Sequence, residues 1–237
     1  MLDSTRRTGT IGVVSEFLPS RFPAAVAPPP RPASPARPVV VILPGVTADR
    51  RKLARCQALL RASWPEADIR VADYLSRWRG VAASGRWLER WGQEVLAPGV
   101  PVFVVAYILG GAVLAFAPTF VSRAQRVVIL RSRYQEAVPR ELRRWCTAPG
   151  VALLFGKHVA DLGVRGYWPP GFRLPGPHLI LVETKRSRLA TRLAVSPLSD
   201  EELGLSDYKE IDIDHDAAYE SAQLIETAAV WLRPPHV

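Results

Sequence analysis

The stretch PVFVVAYILGG, residues 101–111, carries the strongest structural signal in the chain. Its first part, Pro101 to Tyr107, is an uncharged run rich in β-branched residues, which is typical of a buried parallel strand. The part from Leu109 to Pro118 is apolar and is the candidate for the helix that follows this strand. A buried strand that turns directly into a helix is half of a βαβ unit. The stretch therefore predicts an α/β fold whose mainly parallel sheet is flanked by helices.

The same rhythm of apolar runs and amphipathic segments continues on both sides of this unit. Further strands are predicted at 39–45, 68–73 and 126–131, with helices between them. Thr47 is the expected N-cap of the first helix and Ser84 that of the second. Later strand candidates are GVALLFG at 150–156, HLILVE at 178–183 and YKEIDID at 208–214, and a closing helix is expected from Ala217 to Leu232.

The first 38 residues differ from the rest of the 237-residue chain. Eight of the twenty positions from Pro19 to Pro38 are proline, which predicts a solvated, polyproline-like leader without a core. No continuous apolar stretch long enough for a signal peptide follows the start. The expected organisation is a disordered Pro-rich leader at 1–38 and one α/β domain at 39–237.

The middle of the chain allows a second interpretation. Residues 100–121 contain no charged side chain, and 22 uncharged residues are enough to cross a membrane as a single helix. Three features favour a strand, a turn and a helix instead: the β-branched start, the Gly110-Gly111 pair, and the place of the run in the βαβ rhythm. A protein with one membrane span at 100–121 is the alternative.

Composition limits the classes of partner. The net charge is +9, and 27 of the 31 basic residues are arginine. A guanidinium-rich chain suits an anionic partner, but the arginines are scattered and no nucleic-acid motif is present, so codon bias of a GC-rich genome is the simpler explanation. Cys56 and Cys146 are too few for a disulfide framework and indicate a reducing, cytoplasmic location. The cysteine spacing predicts no metal site, no cofactor is implied, and the oligomeric state is open.

The turn AYILGG at 106–111 resembles the nucleophile elbow of the α/β-hydrolase family, in its compact serine esterases and lipases. Ala106 and Gly110 occupy the two small positions of the family's small-x-Ser-x-small motif. Leu109-Gly110-Gly111 matches the end of the motif, whereas Ile108 occupies the position of the serine. The resemblance covers about residues 39–235.

Ile108 changes what this elbow can do. An isoleucine side chain has no lone pair and no acidic proton, so no acyl-enzyme can form on it. The elbow of the family also holds its central residue at positive φ, a conformation that a β-branched residue resists. We expect either a relaxed turn or a strained one supported by burial of the Ile108 side chain.

The resemblance implies further site residues. The segment Leu43-Pro44-Gly45 resembles the first oxyanion-hole segment, which makes the amides of Val46 and Leu109 the candidate oxyanion donors. His215 lies where the family has its histidine, after a strand and before the last helix. For the acid, Asp161 is preferred, and Glu183 at the end of its strand is the alternative.

Ser132 is the alternative nucleophile, because it follows the strand at 126–131 and would emerge at the same sheet edge as Ile108. No base accompanies it in the sequence, so a loop serine is the simpler interpretation. Asp212, Asp214 and Asp216 lack the glycine and glutamate of a calcium loop. No metal site is expected.

These observations predict an α/β-hydrolase-like protein without a serine nucleophile. Such a protein would bind a small acyl or hydrophobic ligand or a protein, or carry out proton transfer with His215 and the oxyanion amides. The alternative enzyme is an active esterase or thioesterase that uses an unusual nucleophile or an activated water. A membrane partner is not expected.

Overall fold

The sheet contains six parallel strands in the order β2-β1-β3-β4-β5-β6. A computed structural model describes residues 37–46, 48–75, 78–169, 172–205 and 207–234. The strands are β1 (Val39–Leu43), β2 (Asp68–Val71), β3 (Val102–Tyr107), β4 (Ala124–Ser132), β5 (His178–Glu183) and β6 (Lys209–Ile211). All residues of β1 and β3 are buried, as expected for central strands that are covered on both faces. The predicted α/β class is confirmed.

Ten helices surround this sheet in the described part of the chain. They are α1 (Arg50–Ser63), α2 (Val81–Val95), α3 (Leu109–Leu114), α4 (Pro118–Ser122), α5 (Val138–Trp145), α6 (Ala148–Phe155), α7 (Lys157–Arg165), α8 (Arg188–Arg192), α9 (Asp200–Leu203) and α10 (Ala222–Leu232). Helices α1 and α10 pack against one face of the sheet, and α2, α3 and α4 cover the other. Helices α5, α6 and α7 lie between β4 and β5 in the chain and form a separate small core with α8.

The uncharged run at 100–121 is not one helix. It consists of β3, α3 and the first part of α4, with Pro118 at the start of α4. No helix among the described residues is both long and apolar enough to cross a membrane. The expectation of one helix from Leu109 to Pro118 is also wrong, because α3 ends at Leu114.

The strand predicted at 150–156 is wrong, since these residues form most of α6. Pro149 lies in the first turn of α6, where its missing N–H has no cost, and Gly156 ends the helix at φ 94°. A short apolar run does not distinguish a strand from a helix, and here only Val151 of α6 is buried.

Two of the expected helix starts are also corrected. Ser84 lies inside α2, which begins at Val81 after Gly80. The first helix is capped by Asp49, whose side chain accepts a hydrogen bond from the amide of Lys52. Thr47 and the leader up to residue 36 lie outside the described residues.

The C-terminal elements are shorter than predicted. Strand β6 contains only three residues, and the closing helix α10 begins at Ala222 rather than at Ala217. The Ser221 side chain caps α10 by accepting a hydrogen bond from the amide of Leu224. A turn therefore separates β6 from α10, and it contains His215.

Several arginines of the basic stretch at 123–144 are used inside the fold. Arg123 donates hydrogen bonds to the carbonyl oxygens of Gly92 and Leu96 at the end of α2. Arg126 donates to the carbonyl oxygens of Trp231 and Arg233 at the end of α10. These cations satisfy carbonyl groups that a helix terminus leaves unpaired.

Candidate active site

Ile108 forms a strained turn between β3 and α3. Its backbone has φ 29° and ψ −88°, a conformation that L-residues rarely adopt. The cost of holding a residue in such a region is about 1–3 kcal/mol. The amide of Ile108 donates to the carbonyl oxygen of Leu130 at 2.9 Å, and its side chain is buried. Of the two expected outcomes, the strained turn with a buried side chain is the one observed.

Gly110 allows the close approach of strand and helix that the elbow requires. A Cβ atom on Gly110 would lie 2.5 Å from the carbonyl oxygen of Leu43 and 2.7 Å from the Leu43 Cβ atom. On Gly111, a Cβ atom would lie 2.6 Å from the hydroxyl of Tyr167. All three distances are shorter than real Cβ contacts, so the packing of α3 against β1 and its surroundings depends on these glycines.

Two buried tyrosines fix the segment after β1 from opposite faces of the sheet. The Tyr74 hydroxyl donates a hydrogen bond to the carbonyl oxygen of Pro44. The Tyr219 hydroxyl accepts a hydrogen bond from the amide of Gly45 at 2.5 Å. Both side chains are fully buried, and burial raises the pKa of both hydroxyls. The segment Pro44-Gly45 is therefore held rigidly on both sides.

Tyr219 also contacts a second buried tyrosine, which in turn contacts a buried cysteine. The rings of Tyr219 and Tyr107 stack with their centroids 4.0 Å apart, and the Tyr107 hydroxyl lies 3.2 Å from Sγ of Cys56. Burial raises the pKa of the Cys56 thiol to about 11, so the thiol is neutral and poorly nucleophilic at neutral pH. Cys56 supports the packing of α1 rather than any covalent chemistry.

A small apolar cavity of about 130 Å³ lies directly at the elbow. Its walls are formed by the elbow, by the Val46 segment and by helices α5 to α8; the lining residues are Val46, Ile108, Leu109, Gln135, Val138, Pro139, Leu142, Phe155, Val159, Leu162 and Leu189. Gln135 is the polar side chain among them. Both predicted oxyanion donors, Val46 and Leu109, lie in the wall of this one cavity, and their amides have no acceptor within the described parts of the chain.

His215 is paired with Glu183, the acid named as the alternative. The Nδ1 atom of His215 lies 3.3 Å from Oε1 of Glu183, and both side chains are buried. Burial raises the pKa of the Glu183 carboxyl, and this effect exceeds the opposing influence of His215. Strands β5 and β6 are neighbours, so the end of β5 and the turn after β6 meet at one edge of the sheet.

Asp161 has a different role. It lies in α7, and its carboxylate accepts a hydrogen bond at 3.1 Å from the amide of Val81 at the start of α2. Lys157 of the same helix lies 3.8 Å away. An acceptor at a helix N-terminus stabilises the helix. Asp161 has this structural role at α2, whereas Glu183 is the acid that contacts His215. The preference for Asp161 as the partner of His215 is therefore corrected.

A second histidine lies close to Asp161 in the structure. The Nε2 atom of His158 is 2.8 Å from the Ser84 hydroxyl, which joins α7 to α2. Burial lowers the pKa of His158 to about 4, so its ring is neutral at neutral pH. This buried contact fixes α7 against α2.

Ser132, the alternative nucleophile, is buried at the end of β4. Its hydroxyl accepts a hydrogen bond from the amide of Gln135 at 3.1 Å, and both the strand register and a side-chain hydrogen bond place it beside Glu183. The hydroxyl thus stabilises a turn. No group of three or more metal-binding side chains occurs among the described residues.

Solved structures share this architecture. The chain is similar to Est1E from Butyrivibrio proteoclasticus, with a TM-score of 0.53, 11% identity and 86% of this chain and 91% of that chain covered. It is equally similar to an extracellular alpha/beta-hydrolase from a Paenibacillus species, with a TM-score of 0.53, 12% identity and coverage of 82% and 98%. The chain has the α/β-hydrolase fold.

A mutant form of YbtT, a type II thioesterase from the yersiniabactin biosynthetic pathway, gives a TM-score of 0.51 at 14% identity, with 84% of this chain and 94% of that chain covered. No family model and no curated protein matches the sequence. At these identities the shared feature is the fold, and the activity must be argued from the residues of this chain.

The sequence does not reveal every residue at the site. Tyr74 and Tyr219 act on Pro44-Gly45 from 30 and 174 residues away, and no local pattern marks them. The sequence did not predict the cavity wall formed by α5, α6 and α7, because the apolar run of α6 resembles a strand. A signal existed for α6 in Pro149, since proline is favoured in the first turn of a helix.

Proposed function

We propose that this protein binds a small apolar ligand with a carbonyl group and does not hydrolyse it. The observation that carries the proposal is Ile108 at the strained turn of an α/β-hydrolase fold, with φ 29°. The turn keeps the backbone geometry that suits a nucleophile, but its side chain supplies only hydrocarbon. A covalent acyl intermediate on this residue is chemically impossible.

The cavity beside Ile108 favours an apolar ligand. Its volume of about 130 Å³ is close to that of apolar protein cavities of about 150 Å³ that take up benzene. The walls are mainly aliphatic, so a short acyl chain or a small aryl group would gain free energy by leaving water. Because Ile108 is part of the wall, its side chain adds apolar contact where the family has a hydroxyl.

The backbone amides of Val46 and Leu109 give this apolar site its polar selectivity. Amide donors do not depend on the identity of the residue at 108, so they remain after loss of a nucleophile. A ligand carbonyl oxygen would accept hydrogen bonds from them inside the cavity. The hydrogen bonds of Tyr74 and Tyr219 to Pro44-Gly45 support this role, because they fix the segment immediately before Val46.

Binding is favoured over proton transfer by the position of His215. Its ring is buried against Glu183, and His215 is not part of the described wall of the cavity. A ligand in the cavity would therefore contact Ile108 rather than the imidazole, and a general base has to come within hydrogen-bond reach of the proton that it removes. An active hydrolase that uses Ser132 is also disfavoured, since that hydroxyl is buried between the Gln135 amide and Glu183 and is hydrogen-bonded to both.

A cytoplasmic location belongs to the same proposal. It is supported by the two free cysteines, Cys56 and Cys146, since reducing compartments keep thiols unpaired.

Calorimetric titration of the protein with butyrophenone tests the proposal. This ketone offers a carbonyl oxygen, a propyl chain and an aryl ring, and it has no leaving group. We expect saturable binding by the native chain. Val159→Phe, which places a larger side chain in the cavity wall, should weaken binding by about tenfold or more. Val230→Phe on the exposed face of α10 is the matched control and should bind as the native chain does.

An ester assay supplies the opposing outcome. The native chain should release nitrophenol from 4-nitrophenyl butyrate no faster than its His215→Ala variant does. Absence of butyrophenone binding, together with ester hydrolysis that His215→Ala abolishes, would establish a hydrolase and refute the binding proposal.

A further inference from the structure

Helix α6 is an apolar helix that lies on the surface. Its sequence, APGVALLF, contains no charged or hydrogen-bonding side chain, and Val151 alone of its residues is buried. The side chains of Leu153, Leu154 and Phe155 are 58%, 65% and 38% exposed. Three consecutive large apolar side chains in water are costly for an isolated protein, and such patches mark contact surfaces. We call Leu153, Leu154 and Phe155 the exposed end of α6.

Cations and an exposed tryptophan flank this helix. Arg143, Arg144 and Trp145 precede it, and Lys157 follows it. The Trp145 side chain is 83% exposed. The Arg144 and Lys157 side chains are 68% and 53% exposed, although Arg144 pairs with Glu141 at 2.7 Å and Lys157 lies 3.8 Å from Asp161. From Val138 to Arg165 the chain carries five basic and two acidic residues. His158 in this segment is neutral, since burial lowers its pKa to about 4.

We propose that α6 docks this protein on an anionic lipid surface, with the exposed end of α6 among the acyl chains and the flanking cations at the headgroups. An apolar helix bordered by arginine, lysine and tryptophan has the arrangement of helices that lie in the membrane interface. Anionic lipids attract each nearby Lys or Arg, which adds to the apolar contribution. Peripheral contact of this kind needs no spanning helix.

The chemistry of α6 favours lipid over a protein partner. Protein interfaces form about one hydrogen bond for each 100–200 Å² of buried surface, and α6 has no side chain that can donate or accept one. The hydrocarbon layer of a membrane requires no hydrogen bonds from the protein. The exposed end of α6 also borders the candidate site: Phe155 lines the 130 Å³ cavity, and Leu154 and Phe155 line an adjoining groove of about 340 Å³ with Val46.

Co-sedimentation of the full chain with vesicles tests this inference independently of ligand binding. Vesicles of phosphatidylcholine with phosphatidylglycerol are compared with vesicles of phosphatidylcholine alone. We expect the chain to sediment with the anionic vesicles, and the double variant Leu153→Glu/Leu154→Glu to bind them at least about tenfold more weakly. Val230→Glu, which changes a 73% exposed apolar residue on α10, should bind as the native chain does.

Charge is tested by a second double variant. Arg143→Gln/Arg144→Gln should lose most of the preference for anionic vesicles and keep its fold, because both side chains are exposed. Circular dichroism of every variant excludes unfolding as the cause. The proposal is overturned if the folded native chain does not sediment with anionic vesicles, or if the Leu153→Glu/Leu154→Glu variant sediments equally well. Self-association without vesicle binding, abolished by the same variant, would identify a second copy as the occupant instead.

Discussion

The imidazole of His215 lies 3.3 Å from the carboxylate of Glu183, on the turn that follows β6 and at the end of β5. Both side chains are buried, and a side-chain hydrogen bond from Ser132 also acts on the Glu183 carboxyl and opposes the rise of its pKa. Burial of an ionisable pair is expensive unless the pair is well bonded. The protein therefore keeps a costly acid–histidine pair at the same edge of the sheet as an elbow that has no nucleophile.

The pair makes stability depend on pH in a defined direction. Burial raises the pKa of Glu183 above its ordinary value of 4.5. Between that value and the raised pKa, the unfolded chain has lost the Glu183 proton while the folded chain retains it, so stability falls as pH rises. Relative to Glu183→Gln, the native chain should lose up to about 1.4 kcal/mol of unfolding free energy for each pH unit inside this window.

Urea unfolding of both chains at a series of pH values measures this difference. Asp212→Asn is the control with the opposite sign, because Lys185 lowers the pKa of the exposed Asp212 carboxyl. There the native chain should gain stability relative to the variant as pH rises. A Glu183→Gln difference that does not vary with pH would contradict the raised pKa.

The strained elbow predicts a gain of activity. Ile108→Ser places a hydroxyl on a backbone already held at φ 29°, at the same sheet edge as the His215 pair. General-base activation contributes about 10²–10⁴-fold, so hydrolysis of 4-nitrophenyl butyrate should rise at least about tenfold above the native rate. His215→Ala in the serine variant should remove the gain, and Ile108→Ala should give none. A folded serine variant without activity would show that His215 does not reach residue 108.

Much of the fold follows from local sequence, for identifiable reasons. Strands β1, β3 and β5 are apolar runs bounded by turn residues, and the alternation with helices fixes a parallel sheet. The prediction for 150–156 was wrong because a short apolar run fits a strand or a helix equally well. Tertiary contacts determine that residues 150–156 are helical, since α6 contacts α5 and α7 and forms no strand pair.

The site depends on contacts that sequence does not encode locally. The elbow was predictable because Ala106 and Gly110 lie two residues on either side of Ile108. The acid was not, because Asp161 and Glu183 both follow plausible elements and only the strand order brings Glu183 to His215. Chain order narrowed the choice to two carboxylates, and the tertiary structure selected between them.

The hydrogen bond from Gly45 to Tyr219 should be measurable as stability. Tyr219→Phe keeps the ring stacked on Tyr107 but leaves the buried amide of Gly45 without its acceptor. An unsatisfied buried donor costs about 1–3 kcal/mol, and we expect a loss in that range by urea unfolding. Tyr208→Phe is the control: its hydroxyl bonds to the side chains of Asp200 and Arg133, and its loss leaves no buried backbone amide without an acceptor, so it should cost less than Tyr219→Phe. Equal losses of unfolding free energy in both variants would mean that the hydrogen bond to Gly45 contributes no more to stability than the hydrogen bonds of Tyr208.

The ion pair between Arg131 and Glu136 gives the largest expected stability effect. The guanidinium donates two hydrogen bonds to the Glu136 carboxylate at 2.6 and 2.7 Å, and both side chains are 1% exposed. Arg131→Met leaves the carboxylate buried and unpaired, which should cost about 3–5 kcal/mol.

Adding Glu136→Gln to the Arg131→Met chain should restore part of that stability, since it removes the buried charge. The cation of Arg131 also lies 4.1 Å and 4.3 Å from the ring centroids of Tyr167 and Trp168, so recovery will be incomplete. Arg140→Met is the matched control: Arg140 and its partner Glu202 are both about half exposed, and surface pairs contribute at most about 1 kcal/mol. Urea unfolding of the native chain and these three variants separates the effects. An Arg131→Met loss as small as that of Arg140→Met would show that the buried pair does not stabilise the fold.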